Sequence, residues 1–568
     1  MACCILQALS GILAHMNTPL IVQSDGSILL DVHDPGADEA RSAIAGFTEL
    51  IKSPEHMHTY RITPLSVWNG ASAGLQLAEI EQSLSGYSRF PVPGNILFQL
   101  RDLYSRYGVI TMHATDEEGI LELQVHNPDV LAELQENREL NKLTEQTASG
   151  FRLHLYQRGT VKQTLIHIGY PVQDLAPLAE GEDYPFALRK TTTSGRPFAP
   201  REYQVAAVES FVGDGRPGTG FGTVVLACGA GKTIVGMQAM YRLQTSTLIL
   251  TTNIAAVHQW IRELVDKTDI PREDIGEYTG ERKEIKPITV ATYQILVWRP
   301  DVESDFPHFS LFSSRRWGLI IYDEVHLLPA PMFRVTAEIQ AVRRIGLTAT
   351  LVREDGREGD VFSLVGPKRY DVPWKELEER GWIAAAECHE IRLPLPAELK
   401  IPYATADKRA KFRIASENPL KIEATRQLIA KHPQDAILVI GQYVAQLKKL
   451  AAELNAPLIT GSTPNQQREE IYQQFRDGEQ RIIVVSKVAN FAIDLPDASM
   501  AIQVSGTFGS RQEEAQRLGR ILRPKDRNVL FFSLVSRFTT EEQFSANRQK
   551  FLTEQGYKYH IELYDPEV

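Results

Sequence analysis

Cysteine is scarce in this chain, with four in 568 residues: Cys3 beside Cys4, and Cys228 and Cys388 each alone. The absence of any C-x-x-C pair removes the common zinc and iron–sulfur frameworks, and such sparse usage fits a reducing, cytoplasmic compartment. Long apolar runs are missing as well. No stretch approaches the roughly 20 residues that cross a bilayer, so no membrane partner is expected. The apolar opening MACCILQALSGIL lacks a basic lead and reads as the start of a folded domain, not a signal peptide. There is no short-period repeat and no low-complexity tract. A surplus of positive charge is also lacking, since the net charge is −10.

That charge is unevenly placed. Residues 1–195 hold 23 acidic and 13 basic side chains, and residues 196–568 hold 48 of each. The front is an acidic module, and the rear is a neutral body that can still carry a basic cleft, because net charge does not decide what a groove binds. Within a Debye length of about 8 Å the front should repel phosphates. With 43% hydrophobic and 23% charged residues the composition is that of a globular protein, and the length implies three or four domains.

A Thr/Ser/Gly/Pro-rich break lies at RKTTTSGRPFAP, residues 189–200. Before it, PLIVQSDGSILLDV predicts a hairpin around Asp25-Gly26. DEARSAIAGFTELIK and PDVLAELQENRELNKL carry helical periodicity. After the break, apolar β-rich runs alternate with helical patterns: TVVLA, STLILTT, ITVAT, LIIYDE and RRIGLTAT, then AILVIG, APLITG, RIIVVS, MAIQVS and VLFFSLV. Such alternation predicts parallel sheets covered on both faces, here in two successive α/β units.

Three segments carry chemistry. VVLACGAGKTIVGMQAM has the strand–loop–helix context of a phosphate-binding loop. Backbone N–H groups of Gly229, Ala230 and Gly231 can cradle phosphate, Lys232 suits the β- and γ-phosphates of ATP, and the Thr233 hydroxyl suits Mg²⁺. Leu226 stands where the usual pattern has its first glycine and is expected to end the strand without touching phosphate. Cys228 is expected to be a small filler. About 90 residues on, LIIYDEVHLLP places Asp323 and Glu324 at a strand's carboxyl end. Asp323 suits Mg²⁺ through water, Glu324 suits an attacking water, and His326 is expected to face the same crevice. In QEEAQRLGRILRP, Gln516, Arg517, Arg520 and Arg523 recur at helical spacing, with Arg520 and Arg523 on one face able to reach a γ-phosphate. A cleft between Lys232 and these arginines that closes on ATP and opens on hydrolysis makes a motor.

Over residues 196–568 these segments resemble superfamily-2 helicases of the XPB family. GAGKT is similar to motif I, DEVH to motif II, LTAT (Thr348, Ala349, Thr350) to motif III and QRLGRILR to motif VI. Arg201 and Gln204 of PREYQ stand where the family reads adenine. Arg353, Glu354 and Asp355 of LVREDGRE resemble the element implicated in opening duplex DNA. The acidic front resembles the N-terminal helicase-associated region of bacterial members.

The resemblance implies two tandem RecA-like parallel-sheet domains with an N-terminal mixed α+β accessory region. The boundaries it suggests are 1–145, then 146–195 as a small α/β element and linker similar to a damage-recognition module, then lobes at 196–376 and 377–568. It also implies an ATP- and Mg²⁺-dependent DNA helicase moving 3′ to 5′, active as a monomer in repair or transcription, with a partner nuclease conceivable. DNA contacts would come from Thr252, Asn253, Gly280, Arg282 and Thr292, and from Gln442, Thr460, Gly461 and Lys487. These residue types bind a backbone without reading bases, although each also serves as a turn or helix cap. Trp260 reads as core.

The chain departs from the family in two places. SKVANFAIDLPDAS has Ala492 where a glycine is frequent, but it keeps Asp494 for the ribose or for lobe coupling. The thumb is short, at residues 404–419, where Lys408, Arg409, Lys411 and Arg413 suit phosphates or a solvated face. A double-strand translocase, a restriction-type motor or an ATP-gated switch that recruits a nuclease would share the ATP motifs.

Overall fold

A computed structural model describes residues 18–52, 57–117, 119–213, 218–227, 229–301, 306–328, 332, 336, 342–349, 358–372, 374–486, 498–506, 528–554, 557 and 559–564. The chain divides into two compact units, the first ending at Asp371 and the second starting at Val372, with Leu226–Lys232 counted with the second.

In the first unit, β1 (Leu20–Val22), β2 (Ser27–Asp31), β3 (Glu49–Lys52) and β4 (Met57–Arg61) form an antiparallel sheet in the order β1-β2-β4-β3. The hairpin expected at Asp25-Gly26 is present, with Gly26 at φ +84°. The helix expected through DEARSAIAGFTELIK stops at Ala45, and Glu49–Lys52 form β3 instead. Gly46 follows the helix at a place where a Cβ would come within 2.8 Å of Leu75 Cδ1. PDVLAELQENRELNKL forms two helices, Pro128–Gln135 and Arg138–Leu143, because Asn137 caps a second start, accepting from the N–H groups of Glu139 and Leu140.

A five-stranded mixed sheet follows, from β5 (Ile110–Ala114), β6 (Ile120–Val125), β7 (Glu145–Gln146), β8 (Gly150–His154) and β9 (Val172–Asp174), in the order β7-β8-β6-β5-β9. It takes strands from both sides of position 145. Helix α1 (Arg158–Ile168) lies beside it and carries a buried ion cluster. Arg158 grips Asp174 with two bonds of 3.0 and 2.8 Å, and Lys162 Nζ donates to the same carboxylate at 3.0 Å.

This module is docked on the rest of its unit. The Lys162 ammonium lies 5.4 Å from the centre of the Phe221 ring, which Arg344 and Arg369 approach to 5.3 and 5.5 Å. Gln163 donates to Asp360, and the Lys368 N–H donates to Asn69. The stretch expected to be a linker is a strap: Tyr184 donates to Asp274, the Ala187 N–H to Asp269 and Arg189 to the Thr268 carbonyl. The acidic front is therefore an integral part of its unit, since removing it would uncover Phe221.

Burial, opposed by the attraction of Asp174 and reinforced by the repulsion of Arg344 and Arg158, pulls Lys162 down to about 8. An unfolded lysine titrates near 10.5, so between pH 8 and 10.5 the unfolded chain holds the proton more tightly and stability rises with pH. The gap corresponds to about 3 kcal/mol. Melting wild type and Lys162→Met across this window should show their stability difference changing with pH. A parallel pair of curves would refute the lowered lysine.

The same unit holds a seven-stranded parallel sheet of β10 (Phe221–Val225), β11 (Thr247–Thr251), β12 (Ile275–Tyr278), β13 (Ile288–Thr292), β14 (Leu319–Asp323), β15 (Arg343–Thr348) and β16 (Lys368–Asp371), in the order β12-β13-β11-β14-β15-β10-β16. The second unit holds another, of β17 (Ala386–Leu393), β18 (Ile437–Gly441), β19 (Leu458–Ile459), β20 (Ile482–Ser486), β21 (Met500–Gln503), β22 (Val529–Ser536) and β23 (Tyr559–Leu563), in the order β19-β20-β18-β21-β22-β17-β23. The two α/β units read from the alternating runs are thus two parallel sheets. No described helix is long and apolar enough to cross a membrane.

Candidate functional site

Strand register gathers the first unit's candidates at one edge. Val225 is level with Thr348, Asp323 with Leu347, and Thr251 with Thr292. All lie at carboxyl ends of parallel strands, the edge at which open α/β sheets bind ligands.

The loop after β10 turns through Gly229 at φ +82° and Gly231 at φ +80°, both in the left-handed region that a side chain disfavours. Ala230 is buried and its N–H closes a turn on the Ala227 carbonyl at 3.1 Å. Helix α2 (Lys232–Leu243) starts at the lysine itself, so Lys232 and Thr233 occupy the first turn, where backbone N–H groups and the helix dipole favour an anion. Leu226 is fully buried just after the strand, as expected of a residue that fills core and leaves phosphate to the glycines. Replacing Leu226 with Gly, which restores the usual pattern, should cost about 3 kcal/mol in stability through the cavity it leaves. A melt matching wild type would show that the leucine fills nothing.

Asp323 ends β14, and its carboxylate Oδ2 accepts from the Trp260 indole at 2.9 Å, while its carbonyl accepts from Tyr293 Oη at 3.0 Å. Glu324 adopts φ +51°, ψ +54°, a conformation rare for a residue with a side chain and enriched at functional sites. His326 does not face a crevice. It is buried, 2.7 Å from Thr348 Oγ1 and 3.5 Å from Glu324 Oε2, because the short helix Val325–Leu327 turns it inward. It thereby ties the DEVH segment to the LTAT segment. A phosphate cradle of left-handed glycines, a lysine and hydroxyl on a helix's first turn and a strand-end carboxylate together suit a nucleoside triphosphate with a hard divalent cation.

Several candidates have structural work of their own. Arg201 precedes the helix Glu202–Val212, with its N–H on Gln204 Oε1 at 2.8 Å, and Gln204 is buried. Asn253 caps helix α3 (Ile254–Lys267), accepting from the Ala256 N–H at 2.9 Å, and its amide donates to Thr252 Oγ1. Thr292 is 3% exposed and accepts from the Ile295 N–H. Gly280 and Arg282 are exposed in the turn after β12. In the second unit, Gln442 follows β18 and its N–H donates to Ser505 Oγ at 2.7 Å. Thr460 bonds Ser462 and Thr463 within a turn that includes the exposed Gly461. The thumb-like stretch forms part of the helices Ala397–Thr405 and Lys408–Ser416, with Lys408, Arg409 and Arg413 exposed. Cys228, Thr350, Arg353, Glu354, Asp355, Lys487, Ala492, Asp494, Gln516, Arg517, Arg520 and Arg523 lie outside the described residues.

Trp260 is core, 1% exposed, as its sequence context suggests, but its bond to Asp323 and that of Tyr293 are not foreseen there. Neither residue belongs to a motif, and only the need of a buried indole N–H for a partner signals the first.

The family model described as ERCC3/RAD25/XPB C-terminal helicase matches residues 377–564. The type III restriction enzyme res subunit model matches 197–353, and a helicase conserved C-terminal domain model matches 20–148. The DNA 3′-5′ helicase XPB of Mycobacterium tuberculosis is 49% identical over 550 residues, covering 96% of this chain and 97% of that protein. Its counterpart in Kineococcus radiotolerans is 48% identical over 547 residues, covering 96% of each. The general transcription and DNA repair factor IIH helicase/translocase subunit XPB of Enterocytozoon bieneusi is 32% identical over 564 residues, covering 95% of this chain and 92% of that protein.

Proposed function

The chain belongs to the XPB family of DNA helicases, and from that premise we propose that it is a DNA-dependent ATPase that moves 3′ to 5′ along one strand and opens the duplex ahead of it. One observation carries the reading: a glycine-turned phosphate loop, the Asp323-Glu324 pair and Thr348 all leave the carboxyl ends of strands in one parallel sheet.

In this reading Gly229 and Gly231 offer N–H groups to the phosphates of ATP, joined by Ala230 when its N–H leaves the Ala227 carbonyl, and Lys232 neutralises them. Arg201 and Gln204 border the base. Thr233 and Asp323 would hold Mg²⁺, which when bound would draw charge from the phosphate oxygens. Glu324 orients the attacking water. Gln516, Arg520 and Arg523 of the second lobe stabilise the charge that develops on the γ-phosphate, and Asp494 serves the ribose or couples the lobes. His326 transmits the state of Glu324 to Thr348.

Thr252, Asn253, Gly280, Arg282, Thr292, Gln442, Thr460, Gly461 and Lys487 line the strand's path, with Arg353, Glu354 and Asp355 at the duplex junction. Asn253 and Thr292 act there through the backbone they cap. The setting is DNA repair or transcription in the cytoplasm, as a monomer that works with repair or transcription factors or a nuclease.

A second reading, a duplex translocase without strand separation, draws on the match of residues 197–353 to a restriction-enzyme motor. ATP hydrolysis and strand release on forks with a 3′ tail, a 5′ tail or none separate the two. The helicase reading expects strong stimulation and release with the 3′ tail. Stimulation by blunt duplex without release would select the translocase.

A further inference from the structure

Trp260 sits in the middle of α3, 1% exposed, with Val257, Ile261 and Leu264 buried on the same helix. Its ring lies over Gly236 of α2: a Cβ there would come within 2.5 Å of Trp260 Cη2. The glycine is the slot that lets the indole through. If space-filling were the whole role, any large apolar side chain would serve. The indole instead delivers an N–H, at 2.9 Å, to a carboxylate oxygen of Asp323. Hydrogen bonds to an ionised acceptor are directional and about twice as strong as neutral ones.

The other end of α3 matters equally. The helix begins at Ile254, directly after Thr252 and Asn253, and Asn253 caps it. Seven residues of helix, about 10 Å, separate that cap from Trp260. A second element repeats the arrangement: Thr292 caps the short helix Tyr293–Leu296, and Tyr293 Oη donates to the Asp323 carbonyl at 3.0 Å. Two candidate strand contacts thus each start a helix whose aromatic side chain ends on Asp323.

We propose that Trp260 is a positioning residue through which α3 sets the orientation of the Asp323 carboxylate, so that a nucleic-acid strand engaging the start of α3 changes how tightly Asp323 holds its cation. A helix of 14 residues with a buried face shifts as a body. A small movement at its capped end therefore appears at the indole and turns the carboxylate with it. The inference rests on the helicase reading for what engages α3, but not for the bond between Trp260 and Asp323.

The test uses the full chain carrying Trp260→Phe, which keeps an aromatic ring over Gly236 and deletes the N–H. Equilibrium binding of a fluorescent ADP analogue is titrated with Mg²⁺, with and without a single-stranded oligonucleotide. The Mg²⁺ concentration for half-maximal binding should rise about tenfold, the size expected on losing a hydrogen bond to a charged group. The oligonucleotide's effect on nucleotide affinity should disappear.

Benzothienylalanine at position 260 replaces N–H by sulfur within the same outline, and it should behave as Phe does even if Trp260→Phe folds poorly. Mg²⁺ dependence and oligonucleotide effect both within twofold of wild type, in a variant that melts like wild type, would overturn the proposal and leave Trp260 as packing. A wild-type ATPase indifferent to every DNA would sink the helicase reading instead, while the Mg²⁺ titration still decides the Trp260–Asp323 bond.

Discussion

Lys232→Ala should lower DNA-stimulated ATP hydrolysis by on the order of 10²–10³-fold, the usual cost of removing one group that stabilises charge in a transition state. The lysine is suited to this role by its place and by what it does not do. It is the first residue of α2, directly after the two left-handed glycines, and its side chain is half-buried and not part of the sheet's core. Truncation therefore removes a charge without opening a cavity, and the melt should stay near that of wild type. Affinity for single-stranded DNA without nucleotide should also persist, because the candidate strand contacts lie on other loops. Arg520→Ala and Arg523→Ala should reproduce the ATPase loss from the other lobe. A Lys232→Ala enzyme hydrolysing ATP within threefold of wild type would remove the phosphate loop from the mechanism, whatever the family.

Much of the sheet framework was legible because buried parallel strands leave continuous β-branched runs. LIIYD, TLILT, ITVAT and IIVVS are strands for that reason, each with nearly every residue buried. The strands that left no such trace have a physical excuse. β16 and β23 are sheet edges, so KRYD and YHIEL carry polar groups that an edge tolerates, whereas the edge strand β12, IGEY, is buried and its Glu277 is bonded by Thr279. β17, AECHEIRL, lies inside its sheet yet holds Glu390, 1% exposed, bonded by Arg392 two residues on and by Ser545, 155 residues away and outside any local pattern. The candidate site divides along similar lines. Loop glycines and strand-end acids have fixed spacing and could be read. The ties of Trp260 and Tyr293 to Asp323, and of His326 to Thr348, join positions 22 to 63 residues apart, and no one-dimensional pattern encodes them.

In the second unit, Glu541→Gln should cost about 3–5 kcal/mol, the penalty for leaving one member of a buried ion pair uncompensated. Lys421 and Glu541 are both fully buried, and Lys421 Nζ meets the two carboxylate oxygens at 2.7 and 2.9 Å. Burial pushes the Lys421 ammonium down and Glu541 holds it up. Removing that charge while keeping the shape leaves a buried cation with the Val504 carbonyl, 2.9 Å away, and little else to answer it. Replacing both partners, with Lys421→Met and Glu541→Gln, should cost less than the two single changes added, since neither charge is then stranded. The pair also reaches toward function. Val504 follows β21, Ser536 ends β22 and donates its N–H to Glu541 at 2.9 Å, and Ser505, next to Val504, receives the Gln442 N–H. The ion pair thus braces the carboxyl edge of the second sheet, where the second lobe's strand contacts are proposed. Denaturation of the single and double variants, read beside ATPase activity, checks both links. Additive losses would deny the coupling, and a destabilised Glu541→Gln chain with wild-type DNA stimulation would separate the brace from the motor.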